Sequence, residues 1–188
     1  MKIKIGVSQR HVHLTLEDVE ILFGKGYVLH KKNDLSQKGQ YSCEEQVTIK
    51  GPKNSIEKVR ILGSLRSKTQ VEVSRTDCYK LGITAPVRDS GDLDDATEIT
   101  VIGPKGSITK KAAIIATRHI HINPKDALEY GITEDKVIAL KVEGEKSGTL
   151  EGIHVKIREG FVFEIHLDTD DANAFLINNG DVGELIIK

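Results

Sequence analysis

The feature that most constrains this chain is a tetrapeptide written twice, RHVH at residues 10–13 and RHIH at residues 118–121. Those two places hold four of the seven histidines. Each copy follows a short β-branched or apolar stretch (KIKIGVS, AAIIAT) and runs into helix-start signals. In the first copy Thr15 reads as an N-cap with Asp18 three residues on, LEDVEILF as the helix body and Gly24 as the stop. In the second, Asn123 caps, Pro124 takes the first helical position, KDALEY is the body and Gly131 the stop. A second echo, GPKNSI at 51–56 against GPKGSI at 103–108, reads as a turn between strands. Two similar domains are therefore expected.

Between these landmarks the chain is a series of short strands: EEQVTIKG, KVRILG, TQVEVS, EITVIG, VIALKVEG, GIHVKIREG, FVFEIHL and GELIIK. Gly- and Pro-containing turns separate them at the interval of small barrels or sandwiches. Short helices are also expected near CYKLGI and at DDANAFLIN. Aromatic residues are only 4% and Trp is absent, so the core must come from Ile, Val and Leu, which favour strands. The expected fold is mainly β with short helices (α+β): two similar small β-barrel domains, 10–116 and 117–188, each capped by short helices. They would join near residues 103–117, and the strand within 1–9 could pair with either half.

A net charge of −1 signals no nucleic-acid or anionic-membrane surface. No apolar run approaches the ~20 residues that a bilayer span needs. Cys43 and Cys78 are too few and too far apart for a disulfide framework or metal clip and read as small buried residues. DSGDLDDATE, at 89–98, lacks EF-hand spacing and reads as a solvated acidic loop. SQKGQY reads as a plain turn.

The repeated motif carries chemistry. Residues i and i+2 of a strand share a face, so His11 projects with His13 and His119 with His121. With Cα atoms ~6.5–7 Å apart, two imidazoles can close on one ion through Zn–N bonds of ~2.0–2.1 Å. A catalytic zinc usually takes three protein ligands, so each pair lacks one. In TQVEVS, Val71 and Val73 face one way and Gln70, Glu72 and Ser74 the other. In FVFEIHLD, Phe161, Phe163 and Ile165 form one stripe, with Val162, Glu164 and His166 opposite. Glu72 and His166 are the natural third ligands. His30 and His154 lack a partner at two-residue spacing. If the strand before Glu72 starts early, Arg66, Lys68, Gln70 and Glu72 share a face, and an Arg beside a metal ligand suits bidentate capture of phosphate.

VSQRHVHLT, DLSQKGQY, VRILGSLRSKTQVEVSRTD, ATRHIHINPKDA and VFEIHLDTDDANA together resemble the signature blocks of the PduL-type phosphotransacylases, in order and over essentially the whole chain. That resemblance implies two helix-capped β-barrels, a dinuclear zinc site between them, and reversible acyl transfer from coenzyme A to inorganic phosphate, giving acyl phosphate. It implies one zinc on His11, His13 and Glu72 and another on His119, His121 and His166, with Arg66 binding phosphate. Ser8, Gln9, Arg10, Lys53, Arg60 and Asn173 match positions that line the family's CoA site; the family often has Ala where Gln9 stands, which points to the backbone there. The expected partners are acyl-CoA and phosphate, with no nucleic acid and no membrane. Microcompartment members commonly carry an N-terminal encapsulation helix, whereas here a strand starts at residue 2, so a cytoplasmic enzyme is expected; microcompartment association through a partner and homo-oligomerisation stay open. Two other readings suit the same residues: a zinc-dependent thioester or phosphoester hydrolase, and a non-catalytic module stapled by zinc.

Overall fold

Strand pairing sorts the computed structural model, which describes residues 1–188, into two compact units: Arg10–Ala116, and Met1–Gln9 with Thr117–Lys188. The chain opens on β1 (Lys2–Ser8), then β2 (His11–His13), α1 (Leu16–Phe23), β3 (Lys31–Asp34), β4 (Tyr41–Lys50) and β5 (Ser55–Gly63). β6 (Gln70–Glu72), α2 (Arg75–Leu81), β7 (Val87–Arg88), β8 (Thr97–Ile102) and β9 (Ser107–Ala116) complete the first half. The second half holds β10 (His119–Ile122), α3 (Pro124–Tyr130), β11 (Ile138–Val142), β12 (Gly148–Ile157), β13 (Glu164–Asp168), α4 (Thr169–Ala174) and β14 (Val182–Ile187).

Each unit closes a ring of strands, which removes most of the exposed sheet edges a short β domain would otherwise carry. β3 on β4 and β7 on β9 remain as edges in the 10–116 unit. In the 10–116 unit the ring runs β4–β5–β2–β6–β9–β8 and back to β4. In the other it runs β11–β12–β10–β13–β1–β14 and back to β11. The order and sense repeat: β5–β2 is parallel, β2–β6 antiparallel and β6–β9 parallel, just as β12–β10 is parallel, β10–β13 antiparallel and β13–β1 parallel.

The first strand therefore does for one ring what β9 does for the other. KIKIGVS immediately precedes RHVH, yet it pairs with β13 and β14 and shuts the ring that contains RHIH. Residues 103–117, expected as a joint, hold a turn and the ten-residue strand β9, which pairs with β6, β7 and β8. Alternation explains why both rings fill with aliphatic side chains. Val12, Ile61, Val71 and Ala113 are fully buried in the first, and Ile5, Ile120, Leu140 and Ile165 in the second.

The four short helices start where side-chain caps allow. Thr15, Ser74, Asn123 and Asp168 each accept a backbone N–H from the first turn that follows. Asp18, fully buried in α1, accepts both Lys110 Nζ from β9 (2.7 and 2.8 Å) and the hydroxyl of Thr69, which ties α1 to the ring. The two GPK turns cap helix C-termini. Lys53 N–H donates to the Leu81 carbonyl (3.0 Å) and Lys105 N–H to the Leu22 carbonyl (2.9 Å). Gly51 and Gly103 are needed beside them, because a Cβ would stand 2.3 Å from Leu81 O and 2.5 Å from Leu22 O respectively. None of the helices is long and apolar enough to cross a membrane.

Candidate functional site

Strand register assembles the two histidine sets. β6 runs antiparallel to β2 with Glu72 opposite His11, and β13 runs antiparallel to β10 with His166 opposite His119. Directly opposed residues of an antiparallel pair have Cβ atoms ~4.5–5.5 Å apart, close enough for side chains to share a ligand. The third donor expected from alternation thus arrives from the neighbouring strand in both units.

The arginine of each RHxH takes part in the same frame. Arg10 Nε donates to Asp77 Oδ1 at 2.8 Å, and Arg118 binds Asp171 through Nε (2.8 Å) and a terminal nitrogen (2.6 Å). Asp77 and Asp171 lie in the first turns of α2 and α4, the helices that directly follow the third donors. These ion pairs fix each histidine strand to the helix beside it.

In the first set, donor atoms of His11, His13 and Glu72 all lie within 4.8 Å of one another, and all three residues are buried. Bonds of at most ~2.2 Å to one ion allow donors no more than ~4.4 Å apart, so small side-chain rotations suffice for ligation. His11 Nε2 stands 3.4 Å from Glu72 Oε2. Burial, then the charges of His11 and Arg66, push His13 down to about 3 and keep it neutral. Burial opposes ionisation of Glu72, but His11, His13 and Arg66 prevail and hold it below the usual carboxylate range. Neutral imidazole and ionised carboxylate are the forms that bind a metal.

In the second set, ring centroids lie 4.7 Å (His119–His121), 4.7 Å (His121–His166) and 5.2 Å (His119–His166) apart. Nδ1 of His119 is 2.8 Å from the Thr117 carbonyl, which can only accept, so Nδ1 carries the proton and the lone pair sits on Nε2. Burial, then the charges of His119, His166 and Lys156, push His121 down to about 2. Phe161 corrects an expectation. It packs against the His121 ring at 4.2 Å instead of sharing a stripe with Ile165, because β13 begins only at Glu164 and the preceding turn folds Phe161 back.

Do these residues fit a metal? His13 Nδ1 and His121 Nδ1 are buried with no hydrogen-bond partner. An unsatisfied buried polar atom costs ~1–3 kcal/mol, and two such nitrogens at equivalent places in a repeat suit lone pairs kept for a ligand. His166 Nε2 also lacks a hydrogen bond; it lies 3.2 Å from Glu164 Oε2 but out of alignment. The donor types, imidazole and carboxylate, are those of zinc sites that keep an open position. The fit is good.

Arg66 reaches the first set by a route that strand alternation did not anticipate. β6 starts at Gln70, so Arg66 lies in the preceding loop, its N–H donating to Leu14 O (2.9 Å). The guanidinium donates to Ser90 Oγ (3.0 Å), and that hydroxyl donates to Glu72 Oε1 (3.1 Å). Desolvation lowers the pKa of Arg66 against the pull of Glu72. Ser90 belongs to the acidic stretch expected to be a solvated loop; its only sequence signal is a small hydroxyl among carboxylates.

Of the residues matched to CoA binding, Arg60 lies opposite His11 on β5 and donates to the Cys43 and Glu44 carbonyls at 3.0 and 2.9 Å. Lys53 is exposed in the first GPK turn, Asn173 is exposed on α4, Gln9 is exposed, and Ser8 ends β1 opposite Asp168. His30 pairs with Glu45 (2.7 Å) on the surface, and His154 is exposed opposite His119. Neither belongs to a set.

The relatives define the class: this is an acyltransferase. The chain belongs to the phosphate propanoyltransferase family, whose model matches residues 4–178. It is 51% identical over 180 residues to the phosphate propanoyltransferase of Thermotoga maritima, covering 95% of this chain and 86% of that protein. It is 53% identical over 184 residues to that of Priestia megaterium (97% and 85%), and 43% identical over 187 residues to that of Clostridioides difficile (99% and 90%).

Proposed function

We propose that the protein reversibly transfers a short acyl group, propanoyl or acetyl, between CoA and inorganic phosphate at a dinuclear zinc centre. His11, His13 and Glu72 hold one ion; His119, His121 and His166 hold the other. The observation that carries this reading is the recurrence of one layout in both units: a histidine pair on one strand, a third donor opposite its first member, and a buried Nδ1 on its second. The name borne by relatives that match nearly the whole chain supports acyl-CoA and phosphate as substrates.

Zinc bound there supplies a Lewis acid and template for the carbonyl, the phosphate and the CoA sulfur. Arg66 holds phosphate through its guanidinium, with Ser90 and Glu72 setting its orientation. A phosphate oxygen attacks the thioester carbonyl; the new C–O bond forms, the C–S bond breaks, and CoA leaves as thiolate. Phosphate is already anionic at neutral pH, so neither a general base nor a Ser or Cys acyl-enzyme is needed. Ser8, the Gln9 backbone, Arg10, Lys53, Arg60 and Asn173 bind CoA. Because Asp77 restrains Arg10 and two carbonyls restrain Arg60, those guanidinium groups lose little freedom on binding.

The test is CoA release from acetyl-, propanoyl- and butanoyl-CoA with and without phosphate, with zinc measured on the same sample. Phosphate-dependent release by protein carrying two zinc ions is expected. Release without phosphate would mark a hydrolase, and zinc without any turnover a structural module.

A further inference from the structure

Each third donor has a companion two residues before it on the same strand face: Gln70 before Glu72, and Glu164 before His166. The companions occupy one place in the repeat, since Gln70 is opposite His13 and Glu164 is opposite His121. Both are buried, at 1% and 3% exposure, far below what free glutamine or glutamate side chains show.

Gln70 is fixed at both ends. Its Nε2 donates to Glu72 Oε1 at 2.6 Å and to Ser90 Oγ at 2.9 Å, while its Oε1 accepts the Gly91 N–H at 2.7 Å. Glu164 places Oε2 3.2 Å from His166 Nε2 and Oε1 3.7 Å from Lys4 Nζ. That imidazole nitrogen is buried and makes no hydrogen bond, and Glu164 Oε2 is the acceptor beside it. On β1, the residue opposite His166 is Gly6, where a Cβ would stand 3.2 Å from His166 Nδ1 and 3.4 Å from Glu164 Cδ. The glycine leaves room for both side chains and keeps Nδ1 uncovered.

Donor and acceptor exchange between the units. A ligating carboxylate is steadied by a donor to its oxygens, which an amide supplies. A ligating imidazole is steadied by an acceptor for its N–H, which a carboxylate supplies. Burying Glu164 is costly unless its charge has such a partner. We infer that Gln70 and Glu164 are equivalent positioning residues, each orienting the third metal ligand of its own set. A small rotation of the His166 ring would let Glu164 Oε2, 3.2 Å away, accept the Nε2–H, which leaves the lone pair on Nδ1. This rests on the reading of Glu72 and His166 as ligands.

The experiment measures zinc per chain, the rate of zinc loss to a chelator and, after cobalt(II) substitution, the visible absorption of the ligand field. It compares wild type with Gln70→Met, Glu164→Gln, His166→Glu and the pair His166→Glu/Glu164→Gln. Gln70→Met and Glu164→Gln are each expected to weaken one of two zinc ions ~10- to 100-fold, with the cobalt bands unmoved. His166→Glu should lose the second ion, and adding Glu164→Gln should restore it, because that pair copies Glu72 with Gln70. The rescue is read as a gain over its parent, so misfolding cannot imitate it. Wild-type zinc retention in both single variants overturns the inference, as does a pair no better than His166→Glu. Shifted cobalt bands in Glu164→Gln overturn it too, by making Glu164 a ligand. Wild type without bound metal would instead remove the ligand reading itself.

Discussion

Ser90 donates its hydroxyl to Glu72 Oε1 at 3.1 Å and accepts the Arg66 guanidinium at 3.0 Å, so one small side chain joins the phosphate-binding candidate to the metal-binding candidate. Ser90→Ala removes both contacts, and the Gln70 Nε2 bond to the same hydroxyl, without adding bulk. A hydrogen bond of this kind contributes ~0.5–1.5 kcal/mol. We expect a several-fold rise in KM for phosphate with zinc content retained, measured by steady-state kinetics and metal analysis on one preparation.

Arg66→Ala should act more strongly at the same substrate. Losing a charged hydrogen-bonding partner costs ~1.5–3 kcal/mol, or about 10- to 150-fold in phosphate use. Thermal unfolding should change little, since Arg66 is half-buried in a loop and its backbone bond to Leu14 survives. Unaltered phosphate kinetics would remove Arg66 from this role.

His119→Ala should lower zinc content and abolish transfer together. Its Nδ1 proton is committed to the Thr117 carbonyl, which aims the other nitrogen, and no neighbouring group can replace a lone pair so oriented. A variant that keeps full turnover would end the two-metal account.

The cysteines should prove dispensable. Burial raises the Cys43 thiol to about 11, so at neutral pH only about one molecule in ten thousand carries the thiolate. Cys78 is fully buried in α2. Cys43→Ser and Cys78→Ser should retain turnover even where packing costs them some stability; a sharp loss of transfer in a folded variant would revive a covalent cysteine mechanism.

Gly51→Ala and Gly103→Ala test the fold. Each Cβ would meet a helix-terminal carbonyl, Leu81 O or Leu22 O, that the neighbouring lysine N–H holds in place. Overpacking of this kind costs ~1–3 kcal/mol, and a domain of about 100 residues loses roughly 4–8 °C of melting temperature per kcal/mol. Wild-type melting temperatures would show that the GPK turns can retreat.

Much of the site is legible in the chain because its cause is local. Period two puts His11 with His13 and His119 with His121, and the same period puts Glu72 opposite the valine stripe and His166 beside Glu164. Helix caps at Thr15 and Asn123 are likewise local hydrogen bonds, written within three residues. The condition under which Arg66 would share a face with Glu72 is not met, and the stripe expected at Phe161 does not form, for one reason. Alternation holds only while a strand continues, and β6 and β13 are short because loops on either side leave the ladder.

What the sequence determined alone is the set of faces: which side chains point together, where helices start, and that one pattern occurs twice. Tertiary structure decided which faces meet. It set His11 against Glu72 and His119 against His166, gave β1 to the ring of the distant RHIH, and brought Ser90 to Glu72 from a loop that read as solvent. Backbone ladders join strands through N–H and C=O groups that every residue carries, so pairing has no local spelling and is settled only when the whole ring closes around its core.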